Sequence, residues 1–505
     1  MRVSRPINRH QTTEQLSATS KFANQGDLAD FFICDCNLIR AMPNVSAPDN
    51  TLQTLASFVV AQKHVDLSEA EFIDGRRRLV DTLGCGLAAF HQPPCVQARH
   101  LALQEGAGGV ACVLGTRLRT TAALAAFANG WMVRYLDGAD TYPGGGGHPS
   151  DCWAGLLAVA EVRRLSVNEL LMAARVAYSV FHNLFISAQL RDQGIDNSFY
   201  VTLGTAAGCA FLMELDTDQT AQALSLAVVP NVSLAVARTG ALSMWKAGAS
   251  ANASRNGVFA AQLAAAGLQG PAMPFEGVRG LWDLTGSFTL EPFDQKGSIP
   301  RMQLAHMKQF LCDYHSQTPI LAAMQLHQEL HGESIESVVV HTYGFAHSEV
   351  ASDPEKWAPQ NRETADHSMP WIVAGVLLHG HFGEHLFSPE QLQNAQHLSL
   401  TQKIKVLEDP ELSLRFPNEI PCRISVETTA GRRFQVQVDL PVGHPRHPMT
   451  DELLKNKFLT LTTPVLAEHA QGAFEAIWQI MPSQSVRSLL QSVAFPNSST
   501  MARSA

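Results

Sequence analysis

Apolar residues recur at helical spacing from Thr51 to about Glu291, which predicts a succession of amphipathic and fully apolar helices. Ser68 stands three residues before Glu71, the spacing of a capping box. The helix behind it carries Leu79, Leu83 and Leu87 at fourfold spacing, with Gly84, Gly86 and Ala88 permitting close helix contacts. Further helices are expected over 120–131, 153–164, 167–185, 201–215, 217–228 and 247–266. Near Pro292 the texture changes. Residues 337–343 are a β-branched run, and 423–429 with 433–439 flank Ala430-Gly431-Arg432, the pattern of a hairpin. Helices at about 318–331 and 369–378 lie between them, and helical periodicity returns over 451–459 and 463–480. The expected fold class is therefore mainly α: a large all-helical domain (49–292 with 446–482) and a smaller α+β domain (293–445). Residues 1–48 read as a poorly ordered arm and 483–505 as a tail.

Composition narrows the function classes. A chain of 505 residues with 46% hydrophobic and 16% charged residues can bury a sizeable core. A formal charge of -9 argues against a nucleic-acid partner, although a local basic pocket can still bind an anion. The nine cysteines form no CxxC pair, which fits reduced thiols in the cytoplasm and not a disulfide or zinc scaffold. No segment reads as transmembrane: the apolar stretch 223–237 is interrupted by Pro230 and Asn231, and 371–378 is too short. Arg2, Arg5 and Arg9 among Ser and Thr faintly resemble a mitochondrial transit peptide; a disordered tail or an upstream start codon is the simpler account.

Four segments could carry chemistry. Leu136-Asp-Gly-Ala-Asp-Thr-Tyr-Pro-Gly-Gly-Gly-Gly-His-Pro-Ser-Asp151 contains a four-glycine run that cannot hold a helix. It brings Asp137, Asp140 and Thr141 near His148, Ser150 and Asp151, with Ser150 expected to cap the next helix. A helix N-terminus disfavours a protonated histidine and nearby carboxylates favour it, the environment of a tuned acid or base. The same residues equally describe a capping loop with a surface histidine. In Ser243-Met-Trp-Lys-Ala-Gly-Ala-Ser-Ala-Asn-Ala-Ser-Arg255, Lys246 enters a helix of small residues. Buried there it needs an anionic partner or ligand; otherwise it snorkels to the surface. Met307-Lys-Gln-Phe-Leu-Cys-Asp-Tyr-His-Ser-Gln-Thr318 crowds Lys308, Tyr314 and His315 at the seam between the two domains. Cys312 and His315 have the spacing of two metal ligands, but no second pair follows, so no metal is expected. Asp366-His-Ser-Met-Pro-Trp371 leads into an apolar helix and reads as a cap, with Ser368 at its start. No GxSxG elbow and no GxxxxGK[ST] loop is present, and the glycine run follows no strand, which excludes a Rossmann reading.

In order along about residues 52–480, these segments resemble the MmgE/PrpD superfamily. The supporting pieces are Leu79-Val-Asp-Thr-Leu-Gly-Cys-Gly, Cys112-Val-Leu-Gly, Asp137 to Thr141 followed by His148-Pro-Ser, Ser243-Met-Trp-Lys, Tyr314-His-Ser-Gln, Asp366-His-Ser-Met-Pro, Lys403-Ile-Lys-Val-Leu-Glu-Asp-Pro and Pro441-Val-Gly-His-Pro. The resemblance implies a helical domain with an α+β lid, a homodimer, and no metal or organic cofactor. It implies a lyase acting on a small polycarboxylate: dehydration of 2-methylcitrate, with cis-aconitate decarboxylation, iminodisuccinate epimerisation or a silent carboxylate-binding homologue as alternatives. Asp137, Thr141 and His148 fall on the family's active-site loop. Asn197, Ser243 and Phe310 stand where cis-aconitate decarboxylases resemble one another in carrying histidine, lysine and tyrosine, which argues against that activity; Asn197 departs from the methylcitrate dehydratase branch too.

Such a dehydration needs a base, an acid for the departing hydroxide, and cations for the carboxylates. The expected assignment gives proton transfer to His148, oriented by Asp137 and Thr141. Lys246 and Arg255 are expected to hold carboxylates, with Arg191, Ser150, Asn197 and Tyr314 as further substrate contacts. Lys308 or His315 would protonate the leaving group.

Overall fold

The computed structural model describes residues 49–188, 190–293 and 299–495, so the expected N-terminal arm and the last ten residues lie outside the described residues. Two hydrophobic cores organise the chain. The first gathers buried residues from Leu52 to Leu311 and again from Met449 to Phe495; the second runs from Cys312 to Val436. Partly buried Phe382 packs against both.

The first core is built from stacked helices. Ser68 and Glu71 form the capping box at the start of Glu69–Ala88, which places Leu79, Leu83 and Leu87 fully inside. Helix Trp245–Ala265 packs against Ala122–Tyr135, Ser198–Leu212 and Thr217–Val228. Its small residues are what allow this. A Cβ on Gly130 would lie 2.9 Å from the Ala251 Cα, so two helix backbones touch there without side chains between them. Helix Val167–Ser187 is long and apolar enough to cross a bilayer, but 78% of its most apolar stretch is buried against neighbours, the setting of a core helix.

Three features depart from the expected outline. A short hairpin, β1 (Ala111–Cys112) with β2 (Arg119–Thr120), interrupts the helical part; strands of this length carry no readable alternation. Met302, Ala305, Met307 and Leu311 join the first core although the texture there already resembles the second region. Past residue 482, helix Val486–Ser492 buries Leu489 and Leu490 in the first core, because Val486, Leu489 and Leu490 recur at helical spacing in a segment too short to stand out from the sequence.

The second core lies under a four-stranded sheet of order β4–β3–β5–β6, with β3 at Ile335–Thr342, β4 at Ile404–Glu408, β5 at Cys422–Thr428 and β6 at Arg433–Val438. β3 pairs parallel with β4 and antiparallel with β5, and the expected hairpin joins β5 to β6. Val338 and Val340 alternate inward from β3. Helix Gln317–Leu330 covers β5 and β6, and helix Met369–His379 lies on that helix. The result is mainly α with a smaller α/β part. It sets the ends of Ala122–Tyr135, Trp245–Ala265 and the 306–318 segment against the start of Met369–His379.

Candidate active site

The glycine-rich loop is shaped by its own hydrogen bonds. Thr141 and His306 exchange backbone hydrogen bonds at 2.9 and 2.7 Å, and the Tyr142 amide donates to the Gly147 carbonyl at 3.0 Å. The Thr141 hydroxyl also donates to Gly147, at 2.9 Å, so it ties the loop and does not reach His148. Gly147 has φ 73, and a Cβ there would sit 2.5 Å from the Asn197 side chain; only glycine meets both demands. Asp140 anchors the loop from inside, accepting from Arg78 Nη1 at 2.6 Å, Tyr178 at 3.0 Å and the Ser150 amide at 3.1 Å. His148, not Ser150, occupies the N-cap position of the 3-10 turn Pro149–Cys152, and Ser150 is wholly buried within it.

Asp137, in the left-handed region at φ 54, lies at the centre of the cluster. Its Oδ1 accepts from Arg134 Nη1 and from Lys308 Nζ, both at 2.6 Å, and lies 3.5 Å from His148 Nε2. Its Oδ2 makes no hydrogen bond and lies 3.3 Å from His367 Nε2. Burial alone would raise this carboxyl; the Arg134 and Lys308 cations override it and hold its pKa well below the usual range. Lys308 also donates to the carbonyls of Asp137 at 2.8 Å and Cys312 at 3.1 Å, so all three ammonium protons have protein acceptors.

His148 as a residue is 9% exposed, which removes the surface-histidine reading. Nδ1 lies 3.0 Å from the Asp140 carbonyl, which places the proton on Nδ1 and the lone pair on Nε2. Burial, with the Arg134 and Lys308 cations nearby, pushes the pKa well below the ordinary histidine value. The ring is therefore neutral near pH 7.

A second carboxylate faces the first. Asp366 accepts from Lys246 Nζ at 2.6 and 2.9 Å and from Arg362 Nη1 at 2.6 Å, and His367 Nδ1 lies 2.7 Å from its Oδ1. Burial and the Lys246 ammonium lower the His367 pKa, while Asp366 and Asp137 pull it up. Lys246 is thus buried and paired, neither snorkelling nor open to a ligand. Asp366, His367, Arg134 and Arg362 are the residues sequence reasoning missed as a site. The Asp366-His-Ser run was read as a cap, and Ser368 does cap Met369–His379, accepting from the Trp371 amide at 3.1 Å. The available signal was two ionisable residues directly before a fully apolar helix.

The other expected residues divide by position. His315 Nδ1 hydrogen-bonds the Tyr343 hydroxyl, and its ring packs among Phe345 and Phe416; burial lowers its pKa to about 4. Tyr314 bonds His306 Nδ1 at 2.5 Å and so supports the 306 segment from behind. Arg191 pairs with Glu349, lies over the Phe345 ring, and touches the glycine loop at Gly145. Arg191, Asn197, Arg238 and Gly145 line a cavity of about 170 Å³ beside that loop. Arg255 is not part of the cluster. It bonds Asn256 at 2.8 and 3.1 Å and sits nine residues, roughly 13 Å, along the helix from Lys246.

Asp137, Asp366 and His367 place donor atoms within 4.8 Å of one another. Two lysines and two arginines already neutralise these carboxylates, so a dication there would meet four cations at contact distance. The chemistry of the set is that of an ion-pair network around two histidines.

A helical layer joined to a smaller α/β part gathers histidines and paired carboxylates into a buried polar site at their junction. The sequence matches the MmgE/PrpD N-terminal domain over residues 53–290 and the MmgE/PrpD C-terminal domain over 310–481, and the chain belongs to this family. Among its relatives, 2-methylcitrate dehydratase of Salmonella typhimurium is 30% identical over 403 residues, covering 73% of this chain and 81% of that protein. The Escherichia coli 2-methylcitrate dehydratase is 30% identical over the same shares. The protein of Yarrowia lipolytica named 2-methylcitrate dehydratase, mitochondrial, is 26% identical over 86% of each chain.

Proposed function

We propose that the chain is a hydro-lyase that removes water from 2-methylcitrate or a closely similar β-hydroxy polycarboxylate. The observation that carries the reading is the His148 ring, neutral, with Nδ1 fixed on a backbone carbonyl and Nε2 open beside Asp137. Such a ring is a base at neutral pH, and Asp137 steadies the imidazolium it becomes. His148 takes the proton from the carbon beside a substrate carboxylate. His367 acts from its imidazolium form, which Asp366 and Asp137 favour against burial, and gives its Nε2 proton to the departing hydroxyl, which leaves as water; His148 then releases the carbon-derived proton to solvent and His367 regains one. Arg191 and Asn197, on the cavity beside the glycine loop, are assigned to a substrate carboxylate. Lys308 and Lys246 are positioning residues, since their ammonium groups are occupied by Asp137 and Asp366. The dehydratase relatives support the substrate class. The scheme uses no metal or cofactor.

We also infer a homodimer in which the α+β part acts as a lid. Leu234, Val236, Met244 and Trp245 expose 67%, 72%, 51% and 48% of their surface, an apolar segment that pairing of two chains would bury. Light scattering giving twice the chain mass is the expected result.

Proton NMR in deuterated water with 2-methylcitrate, cis-aconitate and iminodisuccinate tests the activity. Loss of the 2-methylcitrate methyl doublet as the alkene forms is expected. Itaconate from cis-aconitate, or deuterium uptake without a new product, would replace this reading with a decarboxylase or an epimerase. His148→Gln is expected to lower turnover about 10²–10⁴-fold with the unfolding midpoint unchanged.

A further inference from the structure

From the end of helix Met369–His379 the chain reads His379-Gly380-His381-Phe382-Gly383-Glu384-His385, a run whose three histidines take no part in the site described above. All three histidines are exposed. Their ring centroids stand 5.0 Å apart for His381 and His385, 5.3 Å for His379 and His385, and 6.4 Å for His379 and His381.

The turn that presents them is fixed from below. Gly380 ends the helix at φ 75, its amide donating to the Val376 carbonyl at 2.8 Å. His327 fills the space beneath, where a Cβ on Gly380 would lie 2.6 Å from its ring. On the far side, Leu386 and Phe387 are buried in the second core. The backbone carrying the rings is therefore held in place before any ligand arrives.

The ring spacing approaches that of a metal site, although the ring nitrogens are not gathered within 4.8 Å of one another as they stand. A zinc–imidazole bond of about 2.0–2.1 Å puts the ring centroid about 3.2 Å from the ion, and tetrahedral geometry then separates two centroids by about 5.2 Å. Two of the three separations meet this value. The third closes by about 1 Å through side-chain rotation of an exposed ring. His381 Nδ1 lies 2.9 Å from the His379 carbonyl, which holds its proton there and leaves the Nε2 lone pair for an ion. His379 sits in the last helical turn, where the carbonyl ends favour positive charge; its Nε2 lies 3.2 Å from Gln391 Nε2, so Nδ1 is the nitrogen that turns to an ion. Both oxygens of Glu384 accept from Arg362 Nη2, at 3.2 and 3.0 Å, so the remaining position falls to water. Three imidazoles without a free carboxylate suit zinc, copper or nickel over magnesium or calcium.

We propose that His379, His381 and His385 form a surface site for a divalent transition metal of the zinc class, separate from the buried cluster around Asp137. The test uses untagged full-length protein, stripped with a chelator and titrated with zinc against a chromogenic competitor. One zinc per chain at micromolar affinity is expected. His381→Ala and His385→Ala should each weaken binding about tenfold or more, as loss of one of three ligands requires, while His469→Ala, at another exposed histidine, should not. No binding at micromolar zinc, or unchanged affinity in both turn variants, overturns the proposal. So does zinc that is lost in His367→Gln but retained in the turn variants.

Discussion

The two central carboxylates make a natural comparison. Asp137 takes an arginine three residues back, Arg134, and a lysine 171 residues on, Lys308. Asp366 takes an arginine four residues back, Arg362, and a lysine 120 residues back, Lys246. Each carboxylate has a local arginine and a distant lysine, with one histidine beside Asp366 and two beside Asp137. They differ in what is left over. Both Asp366 oxygens are hydrogen-bonded, whereas Asp137 keeps Oδ2 without a hydrogen bond and lies between His148 and His367. The Asp366 group fastens Lys246 of the first core to the second. The Asp137 group keeps a carboxylate oxygen without a hydrogen bond, between the two histidines of the proposed proton transfer. The same three residue types form a clasp in one place and, in the other, the setting in which the proposed acid–base chemistry is placed.

The largest expected effect comes from breaking the less satisfied half. Lys308→Met should cost about 3–5 kcal/mol in urea unfolding, because it leaves a buried carboxylate underpaired, and Asp137→Asn in the same chain should recover part of that loss. Lys246→Met should cost less, about 2–3 kcal/mol, since Arg362 and His367 remain on Asp366. Equal costs for the two lysines would remove the distinction between clasp and centre.

Acid should destabilise the fold next. His182, His315 and His397 have pKa values lowered by burial to about 4, below the ordinary value of 6.5. The unfolded chain therefore binds more protons than the folded one between these values, and stability is lost as pH falls from about 6.5 toward 4. Each group contributes on the order of 2–3 kcal/mol at the low end. Asp151, raised to about 6 by burial, works in the opposite direction between about 6 and 3.8. Urea midpoints at pH 7, 5.5 and 4.5 should decline in that order, and a flat series would count against buried neutral histidines. The smallest effect is expected at Thr141→Val, about 1 kcal/mol from the lost bond to Gly147. Its mark should be a higher KM with kcat little changed.

Much of the fold could be read from local chemistry. The Ser68–Glu71 box, the Leu79–Leu83–Leu87 face and the 430–432 turn each depend on residues within a few positions of one another, and each formed as their spacing required. Strands β1 and β2 were too short to show alternation. β4 lay in a run whose only inward residues are Ile404 and Val406, too few to establish a period.

The sequence by itself determined which groups could ionise, where a helix with its own capping box such as Glu69–Ala88 begins, and that a glycine loop would stand between Asp137 and His148. What each ionisable group does was decided by tertiary structure. Lys246 and Lys308 could equally have held a substrate carboxylate; only the packing of segments more than a hundred residues apart brings Asp366 and Asp137 to 2.6 Å and occupies their charges. Arg255, nine residues along the same helix from Lys246, was left bonded to its neighbour. Charge pairing falls steeply with distance and strengthens as water is excluded, and both depend on the packed chain.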